Sequence, residues 1–414
     1  MIKLRAKNIT ALQSAQTKPP IDWGFIAAFS AMLIGFNLFS KITLLAFLVY
    51  YSYKNRNNVP DIFASLKNVF WLVCLALWAV ASTQWSVVPK VSYDLIATQI
   101  SFLVLCALMA KYATDIEIAP SLKLTSIFVL VMIVIFAIIF PREALSNVGF
   151  KAFYPQKNNL GVVLAICIIS IFYTANRHWK DYGLLAIALF LLVLSQSKTS
   201  LTALTTVLAI TGCIYLARRQ LEFISRFARD MILFLAKGIA PILYLIIILM
   251  VLFRDTVADY LIQVLPYEFL TGRGELWLMV LSRTRDDLLA GLGLGTFWSA
   301  GALSEVAQTS LLIKSPLWIG KLGSADGGYI DLVGSLGFIG LGLMLMTFVF
   351  NYKTLSKIVQ DKESMLLTAI VTFFIIHNIT ETTIFHSTNP LWFLYIFTTF
   401  YIAFKVDRKL KALK

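Results

Sequence analysis

The sequence predicts an all-α, polytopic integral membrane protein with about twelve transmembrane helices and one large extracytoplasmic loop between the ninth and the tenth. Hydrophobic residues make up 59% of the 414 residues and charged residues only 14%, whereas a soluble domain carries about 25% charged residues. Apolar stretches of spanning length recur along the chain, and the basic residues collect in alternate loops between them.

The predicted spans follow from the length of each apolar stretch, since a spanning helix needs about 20 residues. The first two lie within 23–53 and are separated by a break near Ser40. The other ten lie near 69–83, 92–110, 122–140, 159–174, 182–194, 200–217, 231–253, 327–350, 365–377 and 389–404.

The charge pattern predicts the orientation of these spans. Basic residues occupy the N-terminal tail and follow every even-numbered span, which places both termini in the cytoplasm. The net charge of +14 is therefore a signature of topology and does not indicate nucleic acid binding. The predicted parts are a cytoplasmic tail (1–22), helices 1–9 (23–253), an extracytoplasmic loop domain (254–326), helices 10–12 (327–404) and a second cytoplasmic tail (405–414).

Two predicted helices begin on the outer side with a lysine among polar residues. Lys157 and Asn158 open one of them, and Lys198 opens the other within a Ser-Gln-Ser-Lys-Thr-Ser stretch. Free backbone N–H groups and the helix dipole favour an anion at such a terminus, so the pair predicts a phosphate-bearing ligand. The alternative is ordinary capping with a lysine that extends toward the membrane surface.

The large loop contains a stretch that predicts an amphipathic helix from Gly272 to about Leu289. Arg273 would share a face with Trp277, four residues on. Arginine suits a pyrophosphate because its planar guanidinium binds two oxygens at once. Further along lie Arg283 and Arg285, and the alternative for all three arginines is pairing with neighbouring carboxylates, including Glu275, Asp286 and Asp287.

Three carboxylates are candidates for chemistry at the outer ends of the last spans. Asp326 lies where the chain re-enters the membrane, and Asp331 lies about one turn inside, where a carboxylate is costly and indicates function. Glu381 begins the last outer loop, as a buried ion-pair partner or as part of a sugar site. The alternative for Asp326 is a helix cap, and the alternative for Asp331 is pairing with a lysine or an arginine. The histidines lack the spacing of metal ligands, and neither a metal nor a cofactor is expected.

Several short motifs occur in a shared order along most of the chain after Trp85. They are Trp85-Ser86 with Pro89; Lys157-Asn158 with Leu160-Gly161; Ser195-x-Ser197-Lys198-Thr199; Gly272-Arg273 with Trp277; Gly291-Leu292-Gly293-Leu294-Gly295-Thr296-Phe297-Trp298; Gly328-Tyr329-Ile330-Asp331-Leu332 with Leu336-Gly337-Phe338-Ile339-Gly340; and Asn378-x-Thr380-Glu381. In this order they resemble the O-antigen ligase and polymerase family, in particular its exopolysaccharide-polymerase-like branch.

The resemblance implies glycosyl transfer from an undecaprenyl-diphosphate-linked glycan at the outer face of the bacterial inner membrane. It implies no nucleotide sugar and no metal, and a chain-length-regulating protein is a conceivable partner. Ligases of the family carry a His-Asn pair before the Gly-Tyr-Ile-Asp motif, where this chain has Asp326 and Gly327. The departure favours a polysaccharide polymerase over a ligase that transfers finished glycan to lipid A–core or protein.

The hypothesis assigns roles to ten residues. Arg273, Lys157 and Lys198 would bind the diphosphate, and Asp326 would be the general base, with Glu275 and Asp331 as substitutes. Further glycan or diphosphate contacts would come from Asn158, Arg283, Arg285 and Glu381. Alternatives from other classes are a lipid-linked-glycan flippase or other transporter, which would have interrupted helices in matched halves, and a peptidoglycan-polymerising enzyme.

Overall fold

The computed structural model describes thirteen stretches of the chain. They are 22–34, 41–57, 59–114, 118–147, 149–174, 178–219, 222–253, 256, 273–298, 323–359, 361, 363–386 and 389–412.

Helices dominate these residues. They are α1 (Trp23–Ile34), α2 (Lys41–Lys54), α3 (Val59–Ser65), α4 (Phe70–Ala81), α5 (Pro89–Ala113), α6 (Ile118–Ile139), α7 (Pro141–Ala144), α8 (Lys157–Phe172), α9 (Trp179–Ser195), α10 (Lys198–Arg219), α11 (Glu222–Leu252), α12 (Arg273–Arg283), α13 (Gly328–Lys357), α14 (Ser364–His377) and α15 (Pro390–Ala412). Short 3-10 segments cover Leu66–Val69, Ser82–Gln84 and Thr284–Asp287, and β1 (Leu145–Ser146) pairs antiparallel with β2 (Gly149–Phe150).

The chain is an all-α membrane protein. Among the described residues, five helical stretches are long and apolar enough to cross a bilayer: Val59–Gln84, Pro89–Ala113, Ile118–Ile139, Asp230–Leu252 and Gly328–Lys357. Shorter apolar helices are Trp23–Ile34, Lys157–Phe172 and Ser364–His377. A helix lies in each segment where a span is expected, while the number of crossings stays a prediction.

Contacts near the ends of the helices define two ends of the bundle. At one of them, here named the basic end, Lys123 Nζ lies 2.7 Å from Asp181 Oδ2, and Lys405 Nζ lies 2.5 Å from Glu363 Oε2. Further basic residues lie at this end: Arg408 donates to the Thr114 carbonyl at 2.6 Å, Lys409 pairs with Asp361, and Lys111 lies in the last turn of α5.

The opposite end, here named the site end, contains the starts of α5, α8, α10 and α13 and the end of α14. The loop before α8 packs closely on the end of α9, because a Cβ on Gly149 would lie 2.6 Å from the Ser195 carbonyl oxygen. The first turn of α8 likewise packs on the start of α10, since a Cβ on Gly161 would lie 2.5 Å from Ser197 Oγ. The two lysine-bearing motifs each open a helix, as their sequences predict, and the two helices are neighbours in the structure.

Helix α13 is interrupted at Gly337, whose φ of 66° and ψ of −169° are not helical. An interruption leaves backbone groups unpaired, and such groups must find partners inside a membrane protein. The residues after α12 provide them. The carbonyl oxygens of Leu288 and Leu289 accept the N–H groups of Phe338 and Ile339 at 2.9 and 3.2 Å.

The segment after α12 also hydrogen-bonds the part of α13 that precedes the break. The N–H groups of Leu292 and Gly293 donate to the carbonyls of Gly334 and Ser335 at 2.9 and 3.0 Å. The Trp78 indole N–H donates to the Leu336 carbonyl at 2.9 Å. The glycine-rich stretch thus starts in the gap of a broken helix, where a side chain at Gly291 would collide with the backbone of α13, while one at Gly293 would collide with Ser86.

Part of the expected extracytoplasmic loop domain is therefore built into the bundle. Residues 288–298 pack against α4, α5 and α13, and the Ser86 hydroxyl lies 2.7 Å from that of Thr296. The loop domain expected from 254 to 326 stays a prediction, and within it the backbone groups of residues 288–293 complete α13. Helix α12 also ends at Arg283, where the expected helix runs to about Leu289. Residues 257–272 and 299–322 lie outside the described residues.

Candidate substrate site at one end of the bundle

The turn after α14 positions Glu381. The Asn378 side-chain oxygen accepts the N–H and the hydroxyl of Thr383 at 3.0 and 2.9 Å, which closes the turn on itself. The Glu381 N–H donates to the His377 carbonyl at 3.1 Å, and the Gly328 N–H donates to the Glu381 carbonyl at 3.1 Å. The turn is thus fixed to the end of α14 and to the start of α13.

Three separate motifs meet at the Glu381 carboxylate. Arg273 Nη2 lies 2.5 Å from Glu381 Oε1, and the Asn158 amide N–H donates to the same oxygen at 2.7 Å. The Thr199 hydroxyl also hydrogen-bonds this carboxylate. The first residues of α8, α10 and α12, which are distant in sequence, therefore share one acidic partner that is only 13% exposed.

The charge state of Glu381 depends on two opposing effects. Burial raises the pKa of Glu381 to about 7, against the opposing effect of the Arg273 guanidinium, and the Asp326 carboxylate raises it further. The hydrogen bonds from Thr199 and Arg273 act to lower the pKa. A proton on Glu381 near neutral pH would weaken its hold on Arg273.

Arg273 faces a second carboxylate. Its Nε lies 3.7 Å from Asp326 Oδ2, which is longer than a hydrogen bond, and this buried N–H donates to no acceptor among the described residues. Four residues on, the Trp277 indole N–H donates to the Ala325 carbonyl at 3.0 Å. Arg273 and Trp277 therefore share one face of α12, as predicted, and this face contacts the segment that carries Asp326.

Asp326 is the more accessible of the two carboxylates. Its side chain is 44% exposed, and Oδ1 accepts the Ser324 hydroxyl at 3.1 Å. Its φ of 48° lies in the left-handed region, which costs a non-glycine residue free energy and requires fixing by neighbours. That fixing comes from the Gly327 N–H, which donates to the Thr382 hydroxyl at 3.1 Å.

Asp331 accepts hydrogen bonds from several parts of the chain in the same region. One carboxylate oxygen accepts the Trp298 indole N–H at 2.6 Å, and the Ala325 N–H lies 3.1 and 3.0 Å from the two oxygens. The Thr382 hydroxyl donates to the second oxygen. Both oxygens accept hydrogen bonds that hold the segment before α13 in place, and the role of substitute base stays a prediction.

The described residues enclose a cavity of about 540 Å³ beside this cluster, here named the first cavity. Asn158, Asp326 and Glu381 line it together with residues from the starts of α8 and α15 and the end of α14. Arg273 contacts these two carboxylates but is not among the lining residues. The full lining is Pro155, Gln156, Asn158, Asn159, Val162, Gly323, Ser324, Asp326, His377, Glu381, Thr382, Thr383, His386, Asn389 and Pro390.

A second cavity of about 620 Å³ lies against the first. The two share Gly323, Thr382 and His386, so the turn after α14 forms a partition between them. Trp298 and Asp331 line only the second cavity.

The predicted site residues divide into three groups. Asn158, Arg273, Asp326 and Glu381 come together at the first cavity. The two lysines are neighbours of cluster residues in sequence: Lys157 is half-buried at the start of α8, and Lys198 is exposed at the start of α10.

Of the remaining predicted residues, Asp331 bonds Trp298, Ala325 and Thr382, and Arg283 lies away from the cluster. Arg283 is exposed at the far end of α12, about 15 Å from Arg273 along the helix axis at 1.5 Å per residue. The side chains of Glu275 and Arg285 lie outside the described residues.

Sequence reasoning missed three contributors. Thr199 and Thr382 are next in sequence to the predicted site residues Lys198 and Glu381, yet nothing in the sequence distinguishes their hydroxyls from capping groups. His377 lacks the spacing of a metal ligand, and its place on the cavity wall depends on where α14 ends. Among the described residues, no group of three or more His, Cys, Asp or Glu side chains is arranged to hold a metal ion.

No family model matches the chain, and a search of curated proteins gives no significant match.

Proposed function

We propose that this protein is a membrane glycosyltransferase that polymerises undecaprenyl-diphosphate-linked oligosaccharide repeat units into a bacterial surface polysaccharide. The observation that supports the proposal is the convergence of Asn158, Thr199 and Arg273 on Glu381 beside a cavity that also exposes Asp326. These residues supply a cation, an accessible carboxylate and polar side chains at one end of apolar helices. This combination suits a lipid-linked glycan, which has a diphosphate, sugar hydroxyls and an apolar chain.

We infer the orientation from the charge at the two ends. Cytoplasmic loops of membrane proteins carry an excess of Lys and Arg, so the basic end would face the cytoplasm, together with both termini. The site end would then face the periplasm of a bacterial inner membrane, where an undecaprenyl-linked substrate presents its glycan. Reporter fusions at the termini and in the loop before α8 would test this orientation.

In the proposed complex, the lipid lies along the apolar helices and the diphosphate lies near the starts of α8 and α10. Lys157 and Lys198 would supply positive charge there. Arg273 would contribute the Nε–H group that has no acceptor among the described residues. A bound phosphate oxygen would satisfy this buried donor.

In the proposed reaction, Asp326 is the general base because it is the more exposed carboxylate on the cavity wall. It accepts the proton of an acceptor hydroxyl, whose oxygen forms a bond to the anomeric carbon of the donor sugar. The bond from that carbon to the diphosphate breaks, and the diphosphate leaves with the electron pair. Arg273 and the two lysines stabilise the charge that develops on the leaving group.

The break in α13 bears on the transporter alternative. Broken helices of transporters expose free backbone groups to a substrate or ion. Here residues 288–293 and Trp78 hydrogen-bond the backbone N–H and carbonyl groups that the break at Gly337 leaves unpaired. The interruption is therefore filled by the chain itself, and the polar side chains gather at the site end, which favours an enzyme.

The proposal is tested with purified protein in nanodiscs and a lipid-diphosphate-linked repeat unit from the same cells. A ladder of products at repeat-unit spacing, without another acceptor, is the expected result. Product only after addition of lipid A–core or an acceptor protein would identify a ligase instead. No product with any acceptor, together with movement of the lipid-linked glycan across vesicle membranes, would identify a flippase.

Arg273→Ala should reduce polymerisation in this assay at least 100-fold, because it removes a donor to the leaving diphosphate and leaves Glu381 without its cation. Arg142→Ala is the matched control, since Arg142 is an exposed arginine near the same end of the bundle. Normal polymerisation by the Arg273 variant would show that the site assignment is wrong.

A further inference from the structure

A histidine on the wall of the first cavity has no role in the proposed reaction. His377 is the last residue of α14 and is only 1% exposed. Neither of its ring nitrogens has a hydrogen-bond partner among the described residues. Its ring lies 5.4 Å from that of Phe373, on the same helix, at an angle of 44°.

A buried imidazole without partners is unfavourable, because both nitrogens have given up hydrogen bonds to water. His377 also lines the first cavity together with Asn158 and Glu381. A molecule bound in this cavity could therefore supply the missing partners, and the needs of the imidazole indicate which chemical groups that molecule has.

The imidazole is expected to be neutral in this position. A buried cation needs an anionic partner, and the neighbouring carboxylate of Glu381 is already bound by Arg273 and Asn158. A neutral imidazole has one N–H donor and one nitrogen acceptor. An ionised phosphate only accepts hydrogen bonds, so it could satisfy one nitrogen and would repel the other. Hydroxyl groups both donate and accept, so separate hydroxyls of an oligosaccharide, one on each side of the ring, could satisfy both nitrogens.

We propose that His377 is a sugar-binding residue that hydrogen-bonds hydroxyl groups of the glycan in the first cavity. This inference rests on the proposed function and assigns the sugar and the diphosphate to different parts of the site. The diphosphate lies toward Arg273 and the lysines, and the sugar lies toward the end of α14. The hydroxyls belong either to the donor repeat unit or to the acceptor glycan.

The test measures dissociation constants for three probes with purified protein in nanodiscs. The probes are undecaprenyl diphosphate, the undecaprenyl-diphosphate-linked repeat unit and the released repeat-unit oligosaccharide. His377→Phe keeps an aromatic ring of similar size but removes both polar nitrogens. His377→Gln keeps one donor and one acceptor. His178→Phe is the matched control, because His178 is an exposed histidine at the start of α9, at the basic end.

His377→Phe should weaken binding of a glycan-bearing probe about tenfold, the effect of losing about one net hydrogen bond, and leave undecaprenyl diphosphate unchanged. Selective weakening of the lipid-linked repeat unit assigns the contact to the donor, whereas weakening of the free oligosaccharide assigns it to the acceptor. His377→Gln should recover most of the affinity, and His178→Phe should change none of the constants.

Two results would overturn the inference and leave the proposed function intact. One is equal weakening of sugar-free and glycan-bearing lipid by His377→Phe, which would indicate a structural role. The other is an unchanged constant for every probe. If the wild-type protein binds neither lipid, the proposed function fails and the sugar contact fails with it. If the Phe variant does not fold, His377→Asn replaces it, since its shorter side chain should lose the contact that Gln retains.

Discussion

Replacing Gly337 by alanine tests whether the break in α13 is as tightly specified as its contacts indicate. A Cβ at this position would lie 2.2 Å from the Leu289 carbonyl oxygen and 2.6 Å from the Ala290 nitrogen. Both are backbone atoms, so rotation of a side chain cannot relieve the contact. Either α13 straightens, or the 288–293 segment moves out of the gap.

The cost follows from the backbone angles and from the hydrogen bonds that would be lost. The φ of 66° and ψ of −169° lie in a region that only glycine adopts readily, and an alanine there costs about 2 kcal/mol. Moving Leu288 and Leu289 away would break their hydrogen bonds with Phe338 and Ile339, worth about 1 kcal/mol each. Gly337→Ala should therefore lower the free energy of unfolding by about 4 kcal/mol.

The assay is unfolding of the purified protein by SDS in mixed micelles, followed by tryptophan fluorescence. Gly342→Ala is the matched control on the same helix, because its Cβ would meet only a Tyr244 ring carbon at 3.9 Å. A glycine-to-alanine change in an unstrained helix stabilises by about 0.5–1 kcal/mol. Equal unfolding midpoints for the two variants would refute the reasoning, since they would show that the gap can accept a side chain.

Two further predictions concern the carboxylates. The affinity of the wild type for undecaprenyl diphosphate should decrease as the pH rises through about 7, because ionised Glu381 competes for Arg273. Glu381→Gln should abolish this pH dependence, because the variant cannot ionise. A binding titration from pH 5.5 to 8.5, about 1.5 units either side of this pKa, measures the effect, and parallel curves for the two proteins would contradict it. Asp331→Asn should lower the free energy of unfolding by about 2 kcal/mol in the SDS assay, because the amide N–H would face the Thr382 hydroxyl, which is itself a donor. Unchanged unfolding would show that Asp331 does not hold the segment before α13.

The positions of the helices could be predicted because their signals are local. Apolar stretches and basic loops specify where each helix lies, and Lys157 and Lys198 do open helices as expected. The same signals are silent on a pairing such as that of Leu292 with Gly334. This pairing depends on a glycine that breaks α13 and on a partner segment about 40 residues earlier in the chain.

The site shows the same limit. Residue type and side of the membrane suffice to propose Arg273, Asp326 and Asn158, because charged and amide groups at helix starts are visible in the sequence. The central position of Glu381 is not visible, because it arises from three helix starts that converge on one turn. Arg283 has the same residue type as Arg273, but ten residues of helix separate them. Chemistry predicts the candidates, and tertiary structure selects among them.

The cluster suggests how an anionic substrate could enter a site that contains two carboxylates. With Glu381 and Asp326 both ionised, two negative charges lie beside the single positive charge of Arg273, and a free anion would gain little from approaching it. Because burial raises the pKa of Glu381 to about 7, the cost of protonating this carboxyl at neutral pH is small. A diphosphate that binds Arg273 would favour this protonation by linkage, so that one proton replaces the guanidinium as the partner of Glu381. A substrate anchored in the bilayer could supply the binding energy for this exchange through its lipid, whereas free phosphate could not. The arrangement would therefore discriminate against small soluble anions without excluding the diphosphate of a membrane-bound donor.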